Sequence, residues 1–391
     1  MKIYISQVTL INPHSKTVDT DVLIENGSIQ EITNHRLKPA KDDLQVDGRG
    51  MYLCPGFIDV HFHGALGKDT MDGDLHTLQI LSNYCATHGV TSFYPTTWAA
   101  TPEDIMLAIN NVKTNGEGLP GAQVLGVHVE GPYVDVENRG AQMRSMIRTP
   151  VEDEYKHWFD SGVVKIITCA PEIKDAKEFI LGAVERGIRI SIGHSAATYE
   201  QVVQAANWGA TQATHLFNGM VGLHHRKPGT VGGVLADDRI LPQLICDGIH
   251  LHPAVVKIAV NAKTTDRMIL ITDSIRGAGL ADGDYDNHGQ KFSVRDGIAR
   301  TPEGGLSGST LTLDGALVKV MKYTGKSLEE VIPMVTNIPA NEMGISGQKG
   351  LIKTGFDADV VLLDREFKVE KTIVNGKLVF DRQSSMVRNH G

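Results

Sequence analysis

Six residues of this 391-residue chain carry side chains that bind divalent metals, and each closes a short apolar run: His61 and His63, Glu130, His194, His215 and Asp273. His61 and His63 sit in Pro55-Gly56-Phe57-Ile58-Asp59-Val60-His61-Phe62-His63-Gly64, which reads as a short buried strand. Side chains alternate along a strand, so the two imidazoles share a face. Pro55 and Gly56 break the chain before this strand and Gly64 frees it afterwards, which leaves both histidines at its C-terminal end. Each residue has a plainer reading alone: an H-x-H pair among 16 histidines, a turn at Gly193-His194-Ser195, an N-cap at Thr272-Asp273-Ser274. Six of them at the same end of successive strands read together as one metal site. Four imidazoles and two carboxylates form a borderline-to-hard donor set, suited to Zn²⁺ or Fe²⁺ and compatible with Mn²⁺ or Co²⁺. An ion held there lowers the pKa of bound water from 15.7 to about 7, so the implied chemistry is hydrolysis at neutral pH.

The elements that must position these groups are legible as eight Val- and Ile-rich runs: 57–63, 90–97, 124–130, 163–170, 188–194, 211–215, 243–247 and 268–273. Helical stretches over 75–87, 102–111, 175–186, 199–208 and 253–262 separate several of them, as right-handed βαβ crossovers require. The expected fold class is therefore α/β, a (β/α)₈ barrel whose C-terminal mouth receives all six candidates. Short alternating runs occupy both ends of the chain, each with an Asn-Gly hairpin turn, at Asn26-Gly27 and Asn375-Gly376. Segments 1–53 and 350–391 are expected to form one small β-sandwich domain beside a catalytic barrel over 54–349. A hairpin excursion over 280–299 could add to the small domain, and a helix over 311–323 returns to the barrel.

Composition narrows the partners. A net charge of −8 gives no nucleic-acid footprint, so an anionic substrate needs a local cation. The densest basic run is His224-His225-Arg226-Lys227, and the arginine fork suits a phosphate monoester. Cys54, Cys85, Cys169 and Cys246 lack C-x-x-C spacing and read as reduced structural thiols. The start lacks an apolar signal core, and no stretch approaches the ~18 apolar residues of a membrane span, so the cytoplasm is the expected compartment.

Several blocks carry a resemblance: Val127-His128-Val129-Glu130-Gly131-Pro132-Tyr133, Gly193-His194-Ser195, Thr214-His215-Leu216-Phe217-Asn218-Gly219-Met220, Asp247-Gly248-Ile249-His250 and Thr272-Asp273, beside Pro55 to Gly64. With them the chain resembles the amidohydrolase superfamily nearly end to end, and within it the N-acetylglucosamine-6-phosphate deacetylases. The resemblance implies a metal-dependent amide hydrolase acting on a small amino sugar phosphate, with one or two divalent ions per subunit. It implies that Glu130, His194 and His215 hold one metal position, and that Asp273 shuttles the proton. Some members lack the first histidine pair; this chain keeps His61 and His63, so a second position is expected. Ala141, Gln142, Asn218, Gly219, His250 and Leu306 are the implied substrate contacts, with His250 and Gln142 as donors to the substrate carbonyl. Arg226 is implied to reach the phosphate in the neighbouring subunit of a homodimer. Two positions depart from the family pattern, Gln142 where many relatives carry histidine and Gly219 where alanine is as frequent. His128 reads as a packed or supporting group. Three other readings compete: a deacetylase for the galactosamine epimer, a cyclic-amide hydrolase, and a barrel that only binds or assembles. A cyclic-amide hydrolase would want a lysine ending a strand, whereas Lys165 begins its run. An assembly barrel should have lost ligands.

Overall fold

The apolar runs fold as parallel strands: Phe57–Phe62, Val90–Thr97, Val127–Glu130, Val164–Cys169, Arg189–Ile192, Ala210–Ala213, Leu241–Ile245 and Ile269–Ile271. Each pairs with the next in chain order. This computed structural model describes residues 2–384; Met1 and the 385–391 end of the 350–391 segment lie outside the described residues. The ring closes between the last strand and the first, where the Asp273 N–H donates to the His61 carbonyl at 3.0 Å and the His63 N–H to the Ser274 carbonyl at 2.9 Å. The buried Asp59 carboxylate reinforces the closure, accepting from the Thr272 hydroxyl at 2.7 Å and the His61 N–H at 3.1 Å. Strands covered on both faces read as continuous apolar runs, and every residue of the first two is buried.

A helix follows every barrel strand: Leu75–Thr87, Pro102–Asn115, Glu152–Asp160, Ala176–Glu185, Tyr199–Trp208, Gly229–Ala236, Pro253–Lys263 and Leu313–Thr324. The third and sixth are absent from the sequence-based expectation. Glu152–Asp160 is mostly polar and buries Trp158 and Phe159. Gly229–Ala236 contains three glycines, poor helix formers, but there tertiary packing overrides propensity. A Cβ at Gly233 would stand 2.8 Å from the Val202 side chain, so the glycine lets this helix approach its neighbour closely.

Both chain ends enter one sheet, in the order Lys377–Asp381, Val369–Val374, Val360–Leu363, Tyr52–Pro55, Ile3–Asn12, Ser15–Glu25, Ser28–Thr33, with Leu44–Asp47 alongside Ile3–Asn12. It has its own apolar cluster, including Ile3, Ile5, Val22, Leu53, Val360 and Ile373. Asn26, Gly27, Asn375 and Gly376 all take positive φ, as tight Asn-Gly hairpin turns need. The 280–299 excursion adds no strand to that sheet. Its strands, Gly283–Asn287, Gln290–Arg295 and Ile298–Arg300, form a separate three-stranded sheet. Phe292 and Val294 bury against Ile275, just past the eighth barrel strand, which keeps the hairpin at the barrel mouth. All four cysteines are free and buried. No helix among the described residues is long and apolar enough to cross a membrane.

Candidate metal centre

The barrel brings the six candidates together as two buried triads, His61, His63 and Asp273, and Glu130, His194 and His215. Their ligand atoms lie within 4.8 Å of one another in each triad. Glu130 joins the two: its Oε1 is 3.1 Å from His215 Nε2, 3.2 Å from His194 Nε2 and 3.6 Å from His61 Nε2, and its Oε2 is 3.5 Å from His63 Nε2. Asp273 Oδ1 lies 3.2 Å from His63 Nε2 and 3.4 Å from His61 Nε2. His194, His215 and Asp273 each take a positive φ just past their strands. Three non-glycine residues in that region at one site mark local backbone strain held by the surrounding structure.

Hydrogen bonding fixes the tautomers. His63 Nδ1 meets the Thr96 carbonyl at 3.2 Å, His194 Nδ1 the Asn138 carbonyl at 2.9 Å, and His215 Nδ1 the Asn218 carbonyl at 3.2 Å. A carbonyl only accepts, so each Nδ1 carries a proton, and in the neutral ring that binds a metal each Nε2 presents its lone pair inward. His61 Nδ1 meets Gln243 Oε1 at 3.2 Å, and Gln243 Nε2 donates onward to Gln212 Oε1 at 2.9 Å. Yet His61 Nε2 and His63 Nε2 are 3.0 Å apart, and His194 Nε2 and His215 Nε2 are 3.2 Å apart. Lone pairs facing at that distance repel, and a cation between them removes the repulsion. The donor set therefore fits a divalent metal, with outer partners that orient the imidazoles as metal sites require.

A cleft of about 290 Å³ opens over the triads, lined by Ala141, Gln142, Asn218, Gly219, His250 and Leu306 among others. Gln142 Nε2 donates to Glu130 Oε2 at 2.9 Å while its Oε1 accepts from the Ala99 N–H at 2.6 Å, so this carboxamide braces a metal-ligand candidate. A Cβ at Gly219 would stand 2.8 Å from both His194 Nδ1 and the Asn138 carbonyl, so glycine there protects the hydrogen bond that orients His194. Asn218 spends its amide on the His215 carbonyl at 3.1 Å. His250 Nδ1 is tied to Asp247 Oδ2 at 2.6 Å, which leaves Nε2 as its open nitrogen. His128 stays out of the ligand set: Nδ1 meets the Val60 carbonyl at 2.9 Å and Nε2 the Thr168 hydroxyl at 2.7 Å, and burial drives its pKa well down. Arg226 does not line the cleft; it is exposed, with its Nη1 2.7 Å from His225 Nε2. Sequence reading missed Gln243, Gln212, Thr96, Asn138 and Trp98. Only the two glutamines left a signal, as buried amide side chains inside barrel strands.

Residues 52–379 match the Amidohydrolase family model. The chain is 36% identical over 381 residues to the N-acetylglucosamine-6-phosphate deacetylase of Lysinibacillus sphaericus, covering 97% of this chain and 98% of the relative. It is 38% identical over 329 residues to the N-acetylgalactosamine-6-phosphate deacetylase of Escherichia coli O157:H7, covering 83% of this chain and 87% of that one. The crystal structure of N-acetylglucosamine-6-phosphate deacetylase from Thermotoga maritima superposes with a TM-score of 0.88 at 34% identity, covering 97% of this chain and 99% of that one. Barrel, paired triads and near full-length similarity agree: the chain belongs to the amidohydrolase family.

Proposed function

We propose that this chain removes the acetyl group from N-acetyl-D-glucosamine 6-phosphate, producing D-glucosamine 6-phosphate and acetate. The observation that carries the reading is the pair of buried triads, whose imidazole lone pairs converge on Glu130 and Asp273 at the floor of an open cleft. Glu130, His194 and His215 would hold one divalent metal and His61, His63 and Asp273 a second, with Zn²⁺ or Fe²⁺ the ions best matched to the donors. Such a metal, when bound, supplies Lewis acidity that polarises a carbonyl and acidifies water. Asp273 takes the proton of the attacking water and returns it to the departing amine, because an amide nitrogen leaves only when protonated. His250, oriented by Asp247, faces the substrate carbonyl with its open nitrogen, while Gln142 keeps Glu130 in place. Asn218, Gly219, Ala141 and Leu306 line the sugar's seat. Arg226, exposed and off its own cleft, is assigned to the phosphate in the neighbouring subunit of a cytoplasmic homodimer. Segments 1–53 and 350–391 act as one supporting β unit for the 54–349 barrel.

The 38% identity to a galactosamine-epimer deacetylase makes the epimer the second reading. Acetate release measured on a panel of N-acetyl hexosamine 6-phosphates decides between them. The gluco compound should be turned over best; a clear galacto preference with weak gluco turnover would overturn the substrate assignment and leave the mechanism standing.

A further inference from the structure

Beside the cleft lies a second cavity of about 170 Å³, and among the described residues Trp98 is the one that lines both. The indole is firmly placed. Its ring stacks on His63 with centroids 4.0 Å apart and planes at 21°, and its Nε1 donates to the buried Asp69 Oδ2 at 3.1 Å. The next residue, Ala99, donates its N–H to Gln142, so the partition is braced from the cleft side as well. Beyond the indole, Met71, Met143 and Met146 furnish a flexible apolar side that adapts to different shapes, and Asp104, Asn287 and His288 a polar one.

The strand order says which end of the substrate meets this partition. Trp98 follows the second barrel strand, and Asn218 and Gly219, which line the cleft, follow the sixth. In a ring of eight these positions are diametrically opposed. If the sugar and its phosphate lie toward Asn218 and the sixth-strand side, the acyl group on the reacting amide projects to the opposite wall. We infer that Trp98 is the specificity-determining wall of the N-acyl subsite: its indole limits the acyl chain to acetyl by closing the way to the methionine-lined cavity. This inference rests on the reading of the chain as an N-acyl hexosamine-phosphate hydrolase. The reaction itself is unchanged for longer chains. Water oxygen bonds to the acyl carbon, the C–N bond breaks with its electron pair on nitrogen, nitrogen takes both protons that the water gives up, and alkanoate leaves beside the ammonium form of the amino sugar phosphate.

The test compares N-acetyl, N-propanoyl and N-butanoyl glucosamine 6-phosphate with the metal-loaded parent, Trp98→Ala and Trp98→Phe. One methylene in an apolar pocket is worth about 10- to 200-fold. Trp98→Ala should therefore raise the butanoyl-to-acetyl ratio of kcat/KM by at least about tenfold, and Trp98→Phe, which keeps a ring in place, by clearly less. Loss of the stack on His63 would lower turnover of all three substrates together and leave the ratio where it was, so the ratio separates specificity from structural support. A binding readout by calorimetry in the Asp273→Asn background, with and without Trp98→Ala, should show the same shift in relative affinity. An unmoved ratio in both measurements, or an equal shift in the alanine and phenylalanine variants, would overturn the inference alone. A parent enzyme that releases no acetate from the acetyl compound would overturn it together with the functional reading.

Discussion

Two buried polar clusters in this molecule are built on opposite terms. Where the terminal sheet meets the barrel, Lys349 Nζ donates to Asp359 Oδ2 at 2.5 Å and lies 2.9 Å from Asp357 Oδ2. Asp359 also accepts from the Asn375 N–H at 2.7 Å and from Gln123 Nε2 at 3.0 Å. Burial opposes the charge on Lys349, but Asp359 and Asp357 outweigh it and hold the ammonium above its usual value. Every charge there has an opposite partner. At the barrel mouth, two carboxylates and four imidazoles share a small volume, and among the described residues no lysine or arginine pairs with them. A buried group left without its partner is costly, and a cation from outside the chain would remove that cost here. The paired node holds the fold together; the other is a donor set that fits a divalent metal. Substitutions in the two places should accordingly fail in different ways.

The largest effect is expected at the mouth. Asp273→Asn keeps the shape and removes the base, and general acid–base groups contribute about 10²- to 10⁴-fold. Its kcat should fall by at least that much with unfolding behaviour close to the parent's, measured by steady-state acetate release and urea unfolding side by side. Near-normal turnover in the folded variant would break the assignment. The junction should show the reverse. Lys349→Met strands two carboxylates, and breaking a buried pair costs about 3–5 kcal/mol. Its urea midpoint should drop strongly while kcat per folded molecule stays at the parent value. A variant as stable as the parent would mean that water replaces the ammonium and that the node is not a structural bond.

These two regions also show what a sequence exposes. His61, His63, Glu130, His194, His215 and Asp273 were legible because strand-end placement is a one-dimensional signal: an apolar run stops and a ligand-type residue stands at the stop. Eight such runs with interposed helices make the barrel legible by the same means. The groups that orient the imidazoles are different in kind. Thr96, Asn138 and Asn218 act on them through backbone carbonyls, which any residue supplies, so no residue type announces them. Trp98 meets His63 and Asp69, and Lys349 meets Asp359, through the folding of intervening loops, which local periodicity does not encode. The Gly229–Ala236 helix was hidden for a related reason, since its glycines answer to a neighbour's side chain rather than to helix propensity.

Arg226 sharpens the comparison from a third side. An exposed guanidinium costs nothing when unpaired, so its exposure says little by itself, and only its effect on substrate can assign it. Two charge-assisted hydrogen bonds to a phosphate are worth about 1.5 to 3 kcal/mol each. Arg226→Ala should lower kcat/KM on the 6-phosphate by at least about tenfold and leave the poor activity on free N-acetylglucosamine nearly unchanged. An equal loss on both sugars would place Arg226 among the structural groups. Mixing Arg226→Ala with Asp273→Asn chains tests the subunit assignment, because one site of a hybrid dimer would hold both intact groups and recover activity.

The smallest effect belongs to another paired node, and it reports through pH. Asp72 Oδ1 accepts from Arg276 Nη2 at 2.8 Å and lies 3.1 Å from His288 Nε2, tying the mouth hairpin to the segment after the first barrel strand. Burial would raise the Asp72 carboxyl, but His288, the Asp69 N–H and Arg276 together bring it down to about 2. A carboxyl depressed on folding stabilises above its unfolded pKa, near 3.9, and that contribution fades as pH falls through about 2. His288 is shifted the other way, raised chiefly by its bond to Asp72. Its contribution is complete below the unfolded histidine value, near 6.5, and is lost as pH rises through its folded pKa. Asp72→Asn removes both partnerships. Because the pair is partly solvated, the loss should be only about 1 kcal/mol. The stability difference between parent and variant should therefore be greatest between about pH 4 and 6.5 and shrink on both sides, as followed by urea unfolding across that range. On the alkaline side Arg276 still pairs with the aspartate, so the difference there should level off above zero rather than vanish. A difference that stays constant with pH would mean that Asp72 acts through its helix-capping hydrogen bond to Asp69 alone, and that the hairpin is held at the mouth by its apolar contacts.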